Sequence, residues 1–250
     1  MAHIKDKLKV VLFLVDGLGY YYYQPQASAK GHLSWLCNQL PSLTVPNWTS
    51  ILTGLTTKQH GMTRNDQIKV PHFEFEHCTL VDDGWQNPWV LFDWKWFGRY
   101  FPSLSKDALT YVPRKNRVHN SSLWRKLRKE WPRRRPDLTI VNLEDLDKVS
   151  HHHGWDSRQS LRELQRIDEE LGLFYEMLKR TGEPYLIIVT SDHGGWGTEH
   201  NDLDTLADRL HSRTVPLVYY SNVKIAPPRF RRTTGLRKWL RQQRQRAFTT

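Results

Sequence analysis

Short apolar runs alternate along the chain with segments whose apolar positions recur at helical spacing. Residues 10–15 are continuous, apolar and rich in β-branched side chains, the pattern of a parallel strand covered on both faces. The run stops at Asp16-Gly17. Residues 138–143 form a second run that leads into Glu144-Asp145-Leu146-Asp147. Residues 185–190 form a third, leading into Ser191-Asp192-His193-Gly194-Gly195. The fourth, 215–220, contains Pro216, which cannot donate to a ladder and so places that strand near an edge. Between the second and third runs, Leu161, Leu164, Ile167, Leu171, Phe174 and Leu178 mark one face of a helix, with Ser157 or Asp156 as its N-cap and Gly182 as its stop. Residues 46–55 read as another helix, with Pro46 in the first turn and Gly54 near the end. This alternation predicts an α/β domain with a largely parallel central sheet and helices on both faces. Three of the strands end in a carboxylate, and in such a sheet their ends share one rim.

Charge narrows the partners. Lys and Arg outnumber Asp and Glu by 37 to 26, a net charge of +11, which favours a phosphorylated small molecule, a nucleic acid or an acidic membrane surface. Cys37 and Cys78 fit neither a disulfide framework nor a thiolate metal site. The first apolar run is shorter than a signal-peptide core and ends in Asp16, and no transmembrane segment is evident, so a cytoplasmic location is expected. Residues 66–137 are less regular, with Trp85, Trp89, Trp94, Trp96, Trp124 and Trp131 among basic residues such as Arg114, Lys115, Arg117, Arg125 and Arg128. These tryptophans suit core or lid packing, or a platform on which a nucleobase stacks. The arginine-rich end reads as a solvated extension, although Leu236, Trp239 and Leu240 are spaced for a short amphipathic helix.

The candidate chemistry lies at the strand ends. Asp16, Asp147, His151, Asp192, His193 and His200 offer the carboxylate and imidazole donors that zinc or a similar divalent ion takes. Asp147 and His151 stand at i and i+4, so one helical turn or a tight loop aims both at one ion. Asp192 and His193 are adjacent and need a turn to converge, which Gly194-Gly195 permits. Singly, Asp16 could be a cap, Thr44 and Asn65 turn or cap residues, and His151-His152-His153 a surface tract. His152 and His153 are then neighbours of the ligand, and His60 a structural residue beside Gly61.

Four segments in order resemble the alkaline phosphatase superfamily, and most closely its nucleotide pyrophosphatase/phosphodiesterase branch, the type I phosphodiesterases. They are Asp16-Gly17, the stretch 41–54 (PSLTVPNWTSILTG) continuing through His60-Gly61 to Asn65, the stretch 147–154 (DKVSHHHG), and the stretch 191–201 (SDHGGWGTEHN). The resemblance implies an alkaline-phosphatase-like catalytic domain over 1–225, with the Trp/Arg-rich insert at about 66–137 and a basic tail over 226–250. It implies Thr44 as nucleophile, Asn65 as a substrate-binding group on a phosphoryl oxygen, and two divalent ions. One ion would be held by Asp16, Thr44, Asp192 and His193, the other by Asp147, His151 and His200. Zinc suits these donors, and manganese or iron could take the same places. The implied reaction is hydrolysis of a phosphodiester or pyrophosphate bond in a nucleotide-like anion through a covalent phospho-threonine. A phosphomonoesterase or phosphonate hydrolase on the same fold is the first alternative, and a nucleic-acid-binding protein acting through the basic insert and tail is the second. No Cys-x-Pro-x-Arg segment is present, which argues against a sulfatase. Oligomeric state is not legible.

Overall fold

The computed structural model describes residues 8–23, 31–114, 120–200 and 205–246. Lys115 and Arg117 of the insert, Asn201 of the last segment and the first seven residues lie outside these. In chain order the elements are β1 (Lys9–Val15), β2 (His32–Cys37), α1 (Thr44–Thr53), α2 (Thr57–His60), β3 (Pro88–Phe92), β4 (Leu109–Tyr111), α3 (Ser121–Arg134), β5 (Leu138–Leu143), α4 (Asp145–His153), α5 (Arg158–Thr181), β6 (Tyr185–Thr190), α6 (Leu206–Arg213), β7 (Thr214–Ser221) and α7 (Gly235–Arg246). Seven strands form one sheet in the order β2-β7-β6-β1-β5-β3-β4. The pairs β6·β1, β1·β5, β5·β3 and β3·β4 are parallel, while β7 runs antiparallel to both its neighbours.

The apolar runs are continuous because the sheet is covered twice. Val10, Leu12 and Leu14 of β1 face one core with Val45, Trp48, Ile51 and Leu52 of α1, whereas Val11, Phe13 and Val15 face another with Trp124, Leu127 and Trp131 of α3 and Ile167, Leu171 and Phe174 of α5. Strand β1 pairs with β5 on one side and β6 on the other, so the order reverses across it. Open α/β sheets bind ligands at such a switch point, beyond the carboxyl ends of the strands.

Several expectations are sharpened. Helix α5 is capped by the Ser157 hydroxyl, which accepts from Ser160 N, and ends at Gly182 in the left-handed region. The helix expected from Pro46 starts two residues earlier, at Thr44. Strand β7 is one in from the edge, and Pro216 lies beyond the β6 ladder, opposite Trp35 of β2. The stretch 66–137 adds β3, β4 and α3 to the sheet and its cover, with Trp89, Trp124 and Trp131 fully buried.

The basic end is not simply solvated. Helix α7 buries Leu236, Trp239 and Leu240 in the first core. Its Arg237 forms a two-pronged pair with Asp83 and donates to the carbonyls of Thr53 and Cys78, tying α1 to the insert. Trp239→Ala should therefore destabilise the protein by about 3–5 kcal/mol in urea unfolding, as for other buried tryptophans; a change below about 0.5 kcal/mol is what a solvated extension would show.

Candidate active site

Each candidate ligand is carried to the rim by a short backbone device. Asp16 follows β1 directly and is buried. Gly17 has φ +75°, and a Cβ there would stand 2.9 Å from Asp147 Cα, so glycine lets α4 approach the end of β1. After β6, Ser191 Oγ donates to His193 O at 2.7 Å and accepts from Leu18 N at 2.9 Å, a turn that presents the adjacent Asp192 and His193 to one centre. Gly194 is required there too: a Cβ would meet His211 O at 2.4 Å and Gly19 Cα at 2.7 Å. Asp147 and His151 lie one turn apart on α4, with His151 Nε2 3.4 Å from Asp147 Oδ1.

The side chains converge on His193. Its Nε2 lies 3.3 Å from Asp192 Oδ2, 3.4 Å from Thr44 Oγ1, 3.5 Å from Asp16 Oδ1 and 4.0 Å from Asp147 Oδ1. Two triads result, Asp16/Asp192/His193 and Asp147/His193/His200, with donor atoms in each within 4.8 Å of one another. The structure thus places His193 in both groups, where the family resemblance gives it to one ion. His151 reaches Asp147 rather than the centre of the second triad, with its ring centroid 4.9 Å from that of His200. The His193 and His200 rings stack at 3.8 Å.

Hydrogen bonding fits this set for divalent cations. His151 Nδ1 bonds Thr198 O at 2.8 Å, His193 Nδ1 bonds Gly194 O at 3.0 Å, and His200 Nδ1 bonds Ser42 O at 2.5 Å. A carbonyl only accepts, so all three rings spend Nδ1–H on the backbone and present an Nε2 lone pair, the arrangement that orients metal-ligating histidines. Asp16 Oδ1, Asp147 Oδ1 and Asp192 Oδ2 are buried with no hydrogen-bond partner among the described residues. Burial raises the carboxyls of Asp16 and Asp192 well above the usual range, reinforced by repulsion from Asp192 at the first and from Asp147 at the second. Burial raises Asp147 to about 6 against the pull of His151. It lowers His193 well below its ordinary value and His200 to about 4, in each case helped by a neighbouring imidazole. Neutral imidazoles beside uncompensated carboxylates are a donor set that lacks positive charge.

Thr44 is the first residue of α1. Few helical donors remain free around it. Asn65 Oδ1 accepts from Val45 N at 2.9 Å, Pro46 has no N–H, and Asn47 N bonds Leu43 O. Among the described residues the Thr44 N–H is left as the unbonded donor of that turn. Asn65 therefore braces the start of α1 through its carbonyl and keeps its Nδ2 group for another acceptor. His60 proves structural: its Nδ1 accepts from Met62 N, and Nε2 bonds Ser50 Oγ.

Sequence reasoning missed the braces. Asn47, fully buried, ties Gln39 N, Pro41 O and Leu43 O to α1 and so fixes the loop before Thr44. Asn38 Nδ2 donates to Asp192 O at 2.9 Å. Trp155 Nε1 donates to Gly17 O at 2.7 Å, and its ring packs edge-on against His151. Asn47 sits beside Pro46 and Trp155 just past the histidine tract, but neither position reveals its partners.

Removing metal should lower the melting temperature, and adding zinc or manganese to chelator-treated protein should raise it. Asp147→Asn should abolish much of that rise while stabilising the metal-free protein at pH 7.5. An acid whose folded pKa is raised destabilises the fold above its unfolded value, so this gain should fade below about pH 6 as the wild-type carboxyl takes up its own proton. Melting curves indifferent to chelator and zinc would remove these donors from metal binding.

A family model of type I phosphodiesterase / nucleotide pyrophosphatase matches residues 10–231. Ectonucleotide pyrophosphatase/phosphodiesterase family member 3 of Bos taurus is 26% identical over 239 residues, covering 83% of this chain and 27% of its own length. Among solved structures, murine ectonucleotide pyrophosphatase/phosphodiesterase 5 superposes with a TM-score of 0.57 at 22% identity, over 74% of this chain and 57% of that one. Phosphonoacetate hydrolase from Sinorhizobium meliloti 1021 does so with a TM-score of 0.56 at 17% identity, over 76% and 57%. The chain spans about a quarter of the bovine relative and little more than half of either solved chain. Strand ends, donor set and family match agree: the chain belongs to the type I phosphodiesterase / nucleotide pyrophosphatase family of the alkaline phosphatase superfamily.

Proposed function

We propose that this protein is a two-metal hydrolase that cleaves phosphodiester or pyrophosphate bonds of a nucleotide-like substrate, with Thr44 as nucleophile. The observation that carries this is the position of Thr44, at the start of α1 with Oγ1 3.4 Å from His193 Nε2, the atom shared by both donor triads. Asp16, Thr44, Asp192 and His193 would hold one ion, and Asp147, His151 and His200 the other, zinc being the best match to mixed carboxylate and imidazole donors. Bound divalent ions supply positive charge that favours the ionised Thr44 oxygen and offsets charge on the leaving oxygen.

The chain's own groups then have separable tasks. Thr44 Oγ1 attacks phosphorus in line, the alcohol or phosphate leaving group departs, and water cleaves the phospho-threonine to restore the hydroxyl. The Thr44 N–H and Asn65 Nδ2 donate to a non-bridging phosphoryl oxygen, where charge develops. The imidazoles of His193 and His200 stay neutral, because burial disfavours their protonation, and the Nδ1 bonds orient all three rings. The family match supports nucleotide-like substrates, and the net charge of +11 supports an anionic one. A non-catalytic nucleic-acid-binding role finds no support in it. No helix among the described residues is long and apolar enough to cross a membrane.

Thr44→Ala should lower hydrolysis of an aryl phosphodiester by about 10³-fold or more, given what an activated nucleophile contributes. Acid quenching of wild type should trap phosphate on Thr44, and full activity in Thr44→Ala would sink the mechanism. Because the fold also serves a phosphonate hydrolase, rates should be compared across diesters, monoesters and phosphonates. Faster monoester or phosphonate turnover would replace the diesterase reading with that alternative.

A further inference from the structure

Helix α4 carries two of the candidate ligands, and its first turn is held almost entirely by residues of the Trp/Arg-rich stretch. The Arg114 guanidinium reaches Glu144 with Nη2 and Asp145 Oδ1 with Nη1 at 3.3 Å, spanning the residue before α4 and its first residue. Asp93, just after β3, accepts from Glu144 N at 3.0 Å. Asn120 N donates to Asp145 Oδ2 at 2.7 Å, and Asn120 Nδ2 to Asp93 Oδ2 at 3.4 Å. Asn120 also caps α3 by accepting from Leu123 N. The side chains of Arg114, Glu144 and Asp145 are 12%, 11% and 3% exposed, so water screens this cluster little.

We propose that Arg114 is a positioning residue for the metal site: by gripping the start of α4 it fixes where Asp147 and His151 stand. This rests on reading that site as a divalent-metal centre. Asp147 follows Asp145 by two residues, and α4 leaves β5 without a loop, so a shift of the first turn moves both ligands together. Arg114 also provides the compensation the acids need. Asp93, Glu144 and Asp145 are buried side by side, and Glu144 acts on Asp16 and Asp147 as well. A planar guanidinium can bond two carboxylates at once, which a lysine ammonium does less well. Lys148 bonds Glu144 alone, at 2.7 Å, from a half-exposed position. The Trp/Arg-rich stretch thus also sets the geometry of the metal site.

Isothermal titration of metal-free protein with manganese tests this, with Asp147→Asn and Asp192→Asn as references for which binding component belongs to which triad. In Arg114→Gln the component lost by Asp147→Asn should weaken by about 10- to 100-fold, the range for groups that orient metal ligands. The component lost by Asp192→Asn should stay within about threefold, and Arg114→Lys should recover part of the loss. Should Arg114→Gln not fold, Glu144→Gln removes one anchor and one buried charge together and carries the same expectation. Equal weakening of both components, or a lower melting temperature with manganese affinity unchanged, would overturn the proposal. Wild-type protein that binds no manganese or zinc would instead overturn the metal-centre reading on which it rests.

Discussion

Asp16, Asp147 and Asp192 are buried at the carboxyl rim of the sheet, and each keeps an oxygen with no hydrogen-bond partner among the described residues. Two unit charges 4.8 Å apart, the outer limit within each donor triad, repel by about 3.5 kcal/mol at an effective dielectric near 20. Left alone, such acids hold their protons, which is what the raised pKa values of all three express. Burial drives His193 and His200 the other way, toward neutrality, so these two rings add no compensating charge. Most local features of the fold either create this deficit or keep it from spreading. Glycine at 17 and 194 allows backbones to approach more closely than any side chain would permit, and Arg114 and Lys148 neutralise the next acid along, Glu144.

The sheet makes the convergence inexpensive in backbone terms. Strand β1 sits between β5 and β6, so three adjacent parallel strands end side by side, and Asp16, the α4 acids and Asp192-His193 need only a few residues each to meet. The covers are tied in at the same rim. Trp155 bonds the Gly17 carbonyl, Asn38 bonds that of Asp192, and the Ser42 carbonyl receives the His200 imidazole two residues before Thr44. Thr44 is therefore placed relative to His200 through a single backbone stretch, itself pinned by Asn47.

These relations explain which parts could be read from the sequence. Strands buried on both faces produce uninterrupted apolar runs, so β1, β5 and β6 were legible almost to the residue, and their terminal acids with them. Strand β2 was not, because Leu33 and Trp35 are exposed at an edge while Ser34 interrupts the run. Strands β3 and β4 are short and lie among turns and single-turn helices that break any period. Helix α3 carries so many basic residues, with Pro132 inside it, that its buried Leu123, Trp124, Leu127 and Trp131 do not stand out. The spacing of Leu236, Trp239 and Leu240 did announce a helix, but not the partner it covers. The site followed the same division. Ligand types and spacing were visible, whereas the sharing of His193 and the bracing by Asn38, Asn47 and Arg114 depend on contacts distant in sequence.

The start of α1 shows why this distinction matters for catalysis. A helix N-terminus is an attractive place for a phosphoryl group because several free N–H donors and the helix dipole point at it. Here the chain removes most of them: Asn65 takes the Val45 N–H, Pro46 has none, and the Asn47 N–H is already bonded within the helix. What remains is one backbone donor and the Asn65 amide, placed by the bond that consumed its neighbour. In return Thr44, itself half-buried, is held at the start of a helix whose following residues are all buried, with Tyr100 Oη donating to the Val45 carbonyl. Such a site relies less on a diffuse helix field than on the position of Thr44 Oγ1 against His193. Substitutions that loosen Asn65, Asn47 or Tyr100 would therefore disturb the attacking geometry before they disturbed the charge of the site.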